Sequence, residues 1–207
     1  RKYNSSRREF QSRQTRLLIA EAARKLFLER GYAGATINAI ARQAGVAQET
    51  VYAIFGNKLK ILAFILDISV GGDDKPVRLL DRPEPQAVLH NRDQHQQVAQ
   101  FSEGITEILT RAAPIIEIMR SASKTEPEIA KLLRKRLQGR LQNMVQFVHG
   151  IFANGPLRNG LNETRAAETV WAITSPELFQ LLIVERGWSK EKYSQWLADS
   201  LTSLLLP

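Results

Sequence analysis

The chain has 207 residues, 43% hydrophobic and 24% charged, a balance that suits one or two globular domains with a sizeable core and argues against disorder except at the ends. It contains no cysteine, so disulfides, thiolate metal sites and cysteine nucleophiles are excluded. The formal net charge of +8 is concentrated: residues 1–66 hold 12 bases against 4 acids, whereas the remaining 17 bases and 17 acids cancel, so a polyanionic partner is indicated for the first third alone.

Helical periodicity runs through nearly the whole chain, with no convincing alternating strand. Between Arg13 and Arg30 the residues Ile19, Ala22, Ala23, Leu26 and Phe27 recur at helical spacing, and Gly31 supplies a stop. Thr36 is placed to cap a second helix with Ile37, Ile40, Ala41 and Ala44 on one face, ended by Gly45 after two turns. A third short helix turns Val51 and Phe55 inward and ends at Gly56-Asn57. A fourth runs from near Lys58 through Ile61, Leu62, Ile65 and Leu66 to Gly71-Gly72. Residues 71–92, with Pro76, Pro83 and Pro85, read as loop. The next helix, from about Asp93, carries Phe101, Ile105, Ile108 and Leu109, and Pro114 is expected to break or kink it, leaving Ile115, Ile116 and Met119 in a short helix. Glu126 to Phe152 reads as one helix, stopped by Asn154-Gly155-Pro156. Two more are expected at Asn162 to about Arg186 and Ser189 to Leu206. The longest apolar candidate, Val170 to Val184, is interrupted by Ser175, Pro176, Glu177 and Gln180 and is unfit to span a bilayer. The first residues hold no apolar signal segment, so a soluble, cytoplasmic protein is expected.

Two short helices joined at Ala44-Gly45-Val46 have the spacing of a helix-turn-helix. Ala41 keeps the crossing point small, Gly45 takes the turn, and Val46, Val51 and Phe55 seal the angle. An ordinary helical hairpin shares such positions. However, the second helix exposes Gln48, Glu49, Thr50, Tyr52 and Ala53 in a basic setting, as suits a helix presented to the DNA major groove. The run Thr36-Ile37-Asn38-Ala39-Ile40-Ala41-Arg42-Gln43-Ala44-Gly45-Val46, continued by Val51-Tyr52-Ala53-Ile54-Phe55-Gly56-Asn57-Lys58, resembles the TetR family of bacterial transcription regulators. Ile19, Ala22-Ala23, Leu26-Phe27 and Gly31-Tyr32 match that family's first helix. The resemblance covers about the first third of the chain.

For matching positions the resemblance implies that Thr36 and Lys58 anchor phosphates, that Tyr52 sends its hydroxyl to the DNA backbone, and that Gln48, Thr50 and Asn38 meet base edges or nearby phosphates. Glu49 stands where many relatives have a small residue, and Ile54 where many have His or Tyr. Glu49 either accepts from a cytosine or turns aside to pair with a base such as Arg42. The basic arm from Arg1 to Arg16 adds nonspecific affinity, on phosphates or in the minor groove, with Arg1 and Lys2 simply solvated.

The three tryptophans, with Phe179, Tyr193 and several leucines, crowd the last two helices with more apolar surface than one face needs, which points to a partner surface. The resemblance makes that partner a second copy: a homodimer through Trp171, Phe179, Leu182, Trp188, Tyr193, Trp196 and Leu201. It also implies a small-molecule effector pocket lined by Phe101, Ile105, Ile108, Met119, Met144, Phe147, Val148 and Trp171, with His149 as a polar anchor or a surface histidine. The expected fold is all-α, with a three-helix helix-turn-helix domain over residues 1–66 joined by a fourth helix to a larger helical effector-binding and dimerisation domain over 67–207. The expected function is a repressor that binds operator DNA and is released by an effector. The rivals are a constitutive dimeric DNA-binding protein and a helical carrier or enzyme with a basic surface. No nucleophile, phosphate loop or metal-ligand spacing among His90, His95 and His149 supports an enzyme, a metal or a cofactor.

Overall fold

The computed structural model describes residues 2–207, with side chains from residue 7 onward. Arg1 and the side chain of Lys2, expected to be solvated, lie outside the described residues. All regular structure among the described residues is helical, giving an all-α fold. The helices are α1 (Lys2–Gly34), α2 (Ile37–Ala44), α3 (Gln48–Phe55), α4 (Lys58–Gly71), a 3-10 turn (Leu79–Asp81), α5 (Pro83–His90), α6 (Gln94–Ala122) and α7 (Pro127–Phe152). Then come α8 (Glu163–Ile173), α9 (Pro176–Gln180), a π-helical turn (Leu181–Glu185) and α10 (Lys190–Leu205). None is long and apolar enough to cross a membrane among the described residues.

The chain forms two compact units, one of Arg1–Ile68 with Pro114–Leu133, the other of Ser69–Ala113 with Arg134–Pro207. Residues 114–133, which the sequence places in the second part, thus count with the first. That unit buries Ile19, Ala23, Leu26 and Phe27 of α1, Ile40 and Ala41 of α2, Val51 and Phe55 of α3, and Ile61, Leu62, Ile65 and Leu66 of α4. Ile115, Met119 and Ile129 are buried in it too. The arm expected before α1 is itself helical, and helical form resumes for one turn past Gly31, whose φ of 68° needs a residue without a side chain.

In the second unit one core joins Val98, Ile105 and Leu109 of α6, Met144, Phe147, Val148 and Ile151 of α7, Ala166, Ala167 and Val170 of α8, and Tyr193, Leu197, Leu201 and Leu205 of α10. Ser102 and Thr106 of α6 are buried beside it. Each hydroxyl donates to the carbonyl four residues back, Val98 and Ser102 respectively, so neither is left without a partner.

Three expectations are corrected. Helix α6 runs through Pro114 to Ala122. A proline inside a helix, which removes one hydrogen bond and crowds the preceding turn, costs about 3 kcal/mol, and burial of Ile115 and Met119 just beyond it offsets about 1.5–3 kcal/mol each. The loop expected at 71–92 contains α5, which starts with proline in its first turn, where a missing N–H costs nothing. The single helix expected from Asn162 to Arg186 stops at Ile173: Pro176 restarts the chain as α9, and the Ser175 hydroxyl caps it by accepting from Leu178 N–H.

Candidate nucleic-acid interface and cavity

Helix α2 begins where the Thr36 hydroxyl accepts from the Ala39 amide at 3.1 Å. Its end is a two-bond cap: Gly45, at φ 68° and ψ 30°, donates to the Arg42 carbonyl at 3.3 Å, and Val46 donates to Ala41 at 3.0 Å. This fixes the turn that launches α3. Val51 and Phe55 are buried, so the opposite face of α3 carries Glu49, Tyr52 and Ala53 into solvent, with Gln48 and Thr50 half-buried at its first turn. No side chain caps this helix at Ala47, which leaves its first amides open to an acceptor.

The residues expected to meet DNA lie on or beside α2, α3 and the start of α4. Asn38 of α2 donates to the Gln48 side chain of α3 at 3.4 Å, bringing the two together. Thr36 still has its hydroxyl hydrogen to give, because its capping bond uses only a lone pair. Tyr52 is 48% exposed. Among the described residues no ion pair joins Glu49 to Arg42, and Glu49 is exposed to solvent. Lys58 has an occupation that the sequence did not announce. Its ammonium donates to the Tyr32 carbonyl at 2.8 Å and sits 4.0 Å from the Tyr32 ring centroid. Burial pulls its pKa below the usual lysine value, partly opposed by the carboxylate of Glu126. At the same helix start the Asn57 side chain takes the Lys60 amide, so that end is already partly satisfied. Arg16 lies over the Phe64 ring at 4.5 Å, as a structural cation rather than part of a loose arm.

The second unit encloses a cavity of about 760 Å³, within the roughly 300–1,000 Å³ range of small-molecule sites. Phe101, Ile105, Ile108, Met144 and Phe147 line it, and the Phe101 and Phe147 rings stack at 3.8 Å. Met119, Val148 and Trp171 do not line it. Met119 lies in the first unit, beyond Pro114 on α6, and Val148 is turned into the core of the second. The Trp171 carbonyl accepts from Arg140, whose guanidinium lies over the Trp171 ring. Leu79, Leu80, Arg82, Val88, Leu89 and Arg111, which the sequence did not single out, complete the wall. Pro83 followed by Val88 and Leu89 at helical spacing was the available signal. His149 is exposed and faces Glu163 at 3.0 Å, a surface pair and no part of the cavity.

Of the expected interface residues, Phe179, Tyr193 and Leu201 are corrected: they are buried in the chain's own core, with Phe179 and Tyr193 edge-on at 5.0 Å. Trp171, Leu182, Trp188 and Trp196 are half-buried, and the exposed apolar side chains of this region are Leu181, Val184 and Leu204.

Residues 19–64 match the family described as bacterial regulatory proteins, tetR family. Over 56 residues, 27% of this chain, there is 39% identity to the HTH-type transcriptional regulator TtgW of Pseudomonas putida, a stretch that spans 42% of that protein. Three solved structures share the fold over nearly the full length. NalD, the secondary repressor of the MexAB-OprM multidrug efflux pump in Pseudomonas aeruginosa, superposes with a TM-score of 0.70 at 22% identity, covering 95% of this chain and 98% of its own. The SmeT–triclosan complex gives 0.71 at 21%, covering 94% and 92%. The regulator FadR from Bacillus subtilis, in complex with stearoyl-CoA, gives 0.69 at 19%, covering 90% and 97%. These relatives are transcriptional regulators rather than enzymes. The matched segment coincides with the capped two-helix motif and the helices that support it, so residues 19–64 carry the helix-turn-helix domain described for bacterial regulatory proteins of the tetR family.

Proposed function

We propose that the protein is a cytoplasmic repressor that binds operator DNA as a homodimer and leaves it when a small, largely apolar molecule enters the second unit. One observation carries the DNA-binding half of this reading. The polar, uncapped start of α3, with Gln48, Glu49, Thr50 and Tyr52, is presented by a rigid turn in the part of the chain that holds the entire net charge. Bases supply affinity through phosphates, and this helix supplies choice among sequences. Homodimer formation is supported by the exposed Leu181, Val184 and Leu204, and by the gain from two reading helices set on one duplex. The effector half is supported by the cavity and by the ligands named for the SmeT and FadR structures.

The test begins with duplexes selected from a random pool. Binding followed by fluorescence anisotropy should show strong salt dependence and two chains per site. A panel of apolar molecules should then contain some that dissociate the complex. Failure to bind any duplex at low salt would remove the regulator reading. Binding that no cavity ligand alters would leave the constitutive dimeric DNA-binding protein in its place.

A further inference from the structure

The cavity has two chemically different sets of lining residues. One is apolar, with Phe101, Ile105, Met144 and Phe147. The other is the turn at Gly71-Gly72, and two guanidinium groups converge on it. A Cβ at Gly71 would fall 2.7 Å from Nη2 of Arg82, and one at Gly72 would fall 3.7 Å from Nη2 of Arg111. Gly72 also takes a φ of 83°, so both the conformation and the close approach depend on glycine.

Neither guanidinium spends all its donors within the protein. Arg82 gives Nη2 to the Asp73 carboxylate at 2.8 Å and to the Lys75 carbonyl at 3.3 Å, while its Nε is buried without an acceptor. Arg111 gives Nε to the Ser69 carbonyl at 3.0 Å. Its Nη1 stands 3.9 Å from Glu107, beyond hydrogen-bond reach, and no described hydrogen bond uses either Nη atom. Unmet donors on an arginine fork match a planar oxyanion.

We infer that the ligand of this cavity is an amphiphile with an anionic oxyacid head, carboxylate or phosphate, held by Arg111 and Arg82 beside Gly71-Gly72, with its apolar tail along Phe101, Ile105 and Phe147. This rests on the reading of the cavity as the effector site. Four carboxylates also line the wall, and Asp73 and Glu84 both act on Arg82, so the open donors are chiefly those of Arg111. Asp73 is engaged by Arg82 and Lys75, and Glu107 lies between Arg111 and Lys190. Glu84 and Glu103 are exposed to solvent. Arg82, with its side chain 12% exposed, is held by Asp73 in place for a head group. Arg111 has a second role, since its Nε holds the carbonyl of Ser69 in the last turns of α4, the helix that begins at Lys58. A head group on the Arg111 Nη atoms therefore shares its guanidinium with a bond to that helix.

The experiment uses the full chain and four probes with one tail: dodecanoate, dodecyl phosphate, dodecanol and dodecyltrimethylammonium, titrated by calorimetry. At least one of the two anions should bind about tenfold to a hundredfold tighter than dodecanol, as charge-assisted hydrogen bonds allow, and the cation should bind more weakly still. Whichever anion binds tighter identifies the head. Arg111→Gln should abolish that preference while dodecanol still binds, which also shows that the variant is folded. Dodecanol or the cation binding as tightly as the anions would overturn the anionic head while leaving the effector cavity in place. Binding of none of the four would overturn both.

Discussion

Replacing Lys58 separates two roles that one side chain is asked to fill. In the free protein its ammonium donates to the Tyr32 carbonyl at 2.8 Å and lies 4.0 Å from the Tyr32 ring. A charged hydrogen bond contributes about 1.5–3 kcal/mol and a cation–π contact at a partly exposed site about 0.5–1 kcal/mol. Because Lys58 is only half-buried, the lower limits apply, and their sum gives a loss of about 2 kcal/mol for Lys58→Ala. On DNA the same charge is asked to meet a phosphate, and each such contact adds about 0.9 to the slope of log affinity against log salt. Lys58→Ala should therefore lower the urea midpoint at constant m-value, and should flatten the salt slope by about one unit per subunit, equally on operator and random duplex. The two readouts are independent. An unchanged slope with lowered stability would make Lys58 a purely structural clamp on Tyr32 and refute its phosphate role. An unchanged midpoint would refute the energetic weight given to the clamp.

Gln48→Ala should cost roughly 1–3 kcal/mol on the selected operator and much less on random duplex; equal losses on both would remove Gln48 from base reading. Glu49→Ala should relax the preference at one base pair in each half-site of the selected-sequence profile, since no ion pair with Arg42 holds Glu49 aside; an intact profile with tighter binding everywhere would show that it only repels phosphates. The hydrogen bond from Arg82 holds the Asp73 carboxyl below the usual aspartate range. The stability it contributes is therefore present above that range and is lost as pH falls through the lower folded-state value. NMR titration should find Asp73 raised towards its ordinary value in Arg82→Gln, with the Lys75 contacts still holding it somewhat low, and an unmoved titration would deny the pairing. Val184 is 72% exposed, so Val184→Lys should leave the subunit folded and shift sedimentation towards the monomer. A wild-type monomer at micromolar concentration would sink the dimer itself.

The head of the molecule was legible because its signals are local. Thr36 three residues before Ala39, Gly45 at a left-handed turn, and Val51 and Phe55 one helical turn apart each act within a few residues, so a single sequence states them. The cavity was legible only in part, because its wall is assembled from α5, α6, α7 and the turn after α4. Phe101, Ile105, Ile108, Met144 and Phe147 advertise themselves as apolar. Arg82 and Arg111 look like solvated charge until the fold brings both to Gly71-Gly72. Lys58 shows the same limit in the head, since its partner is a backbone carbonyl 26 residues away and a carbonyl carries no sequence label.

The corrected interface residues trace to a change of phase that composition does not display. Read as one helix from Asn162 to Arg186, the segment would put Trp171, Phe179 and Leu182 on nearby faces, all available to a partner. In the structure Pro176 resets the helix, and the turn from Leu181 to Glu185 is wound more widely, with Arg186 donating to the carbonyl of Leu181 five residues back. Each reset rotates the residues beyond it. Phe179 is carried inward against Tyr193, while Leu181 and Val184 are carried out into solvent. The surplus of apolar residues noticed in the sequence is thus divided in two. Phe179, Tyr193, Leu197, Leu201 and Leu205 complete the subunit's own core, and Leu181, Val184 and Leu204 remain outside, where water leaves them costly unless another surface covers them. A partner, on this argument, is held by Leu181, Val184 and Leu204 rather than by Tyr193 or Leu201, and that is why the substitution that tests the dimer is at Val184 and not at an aromatic ring.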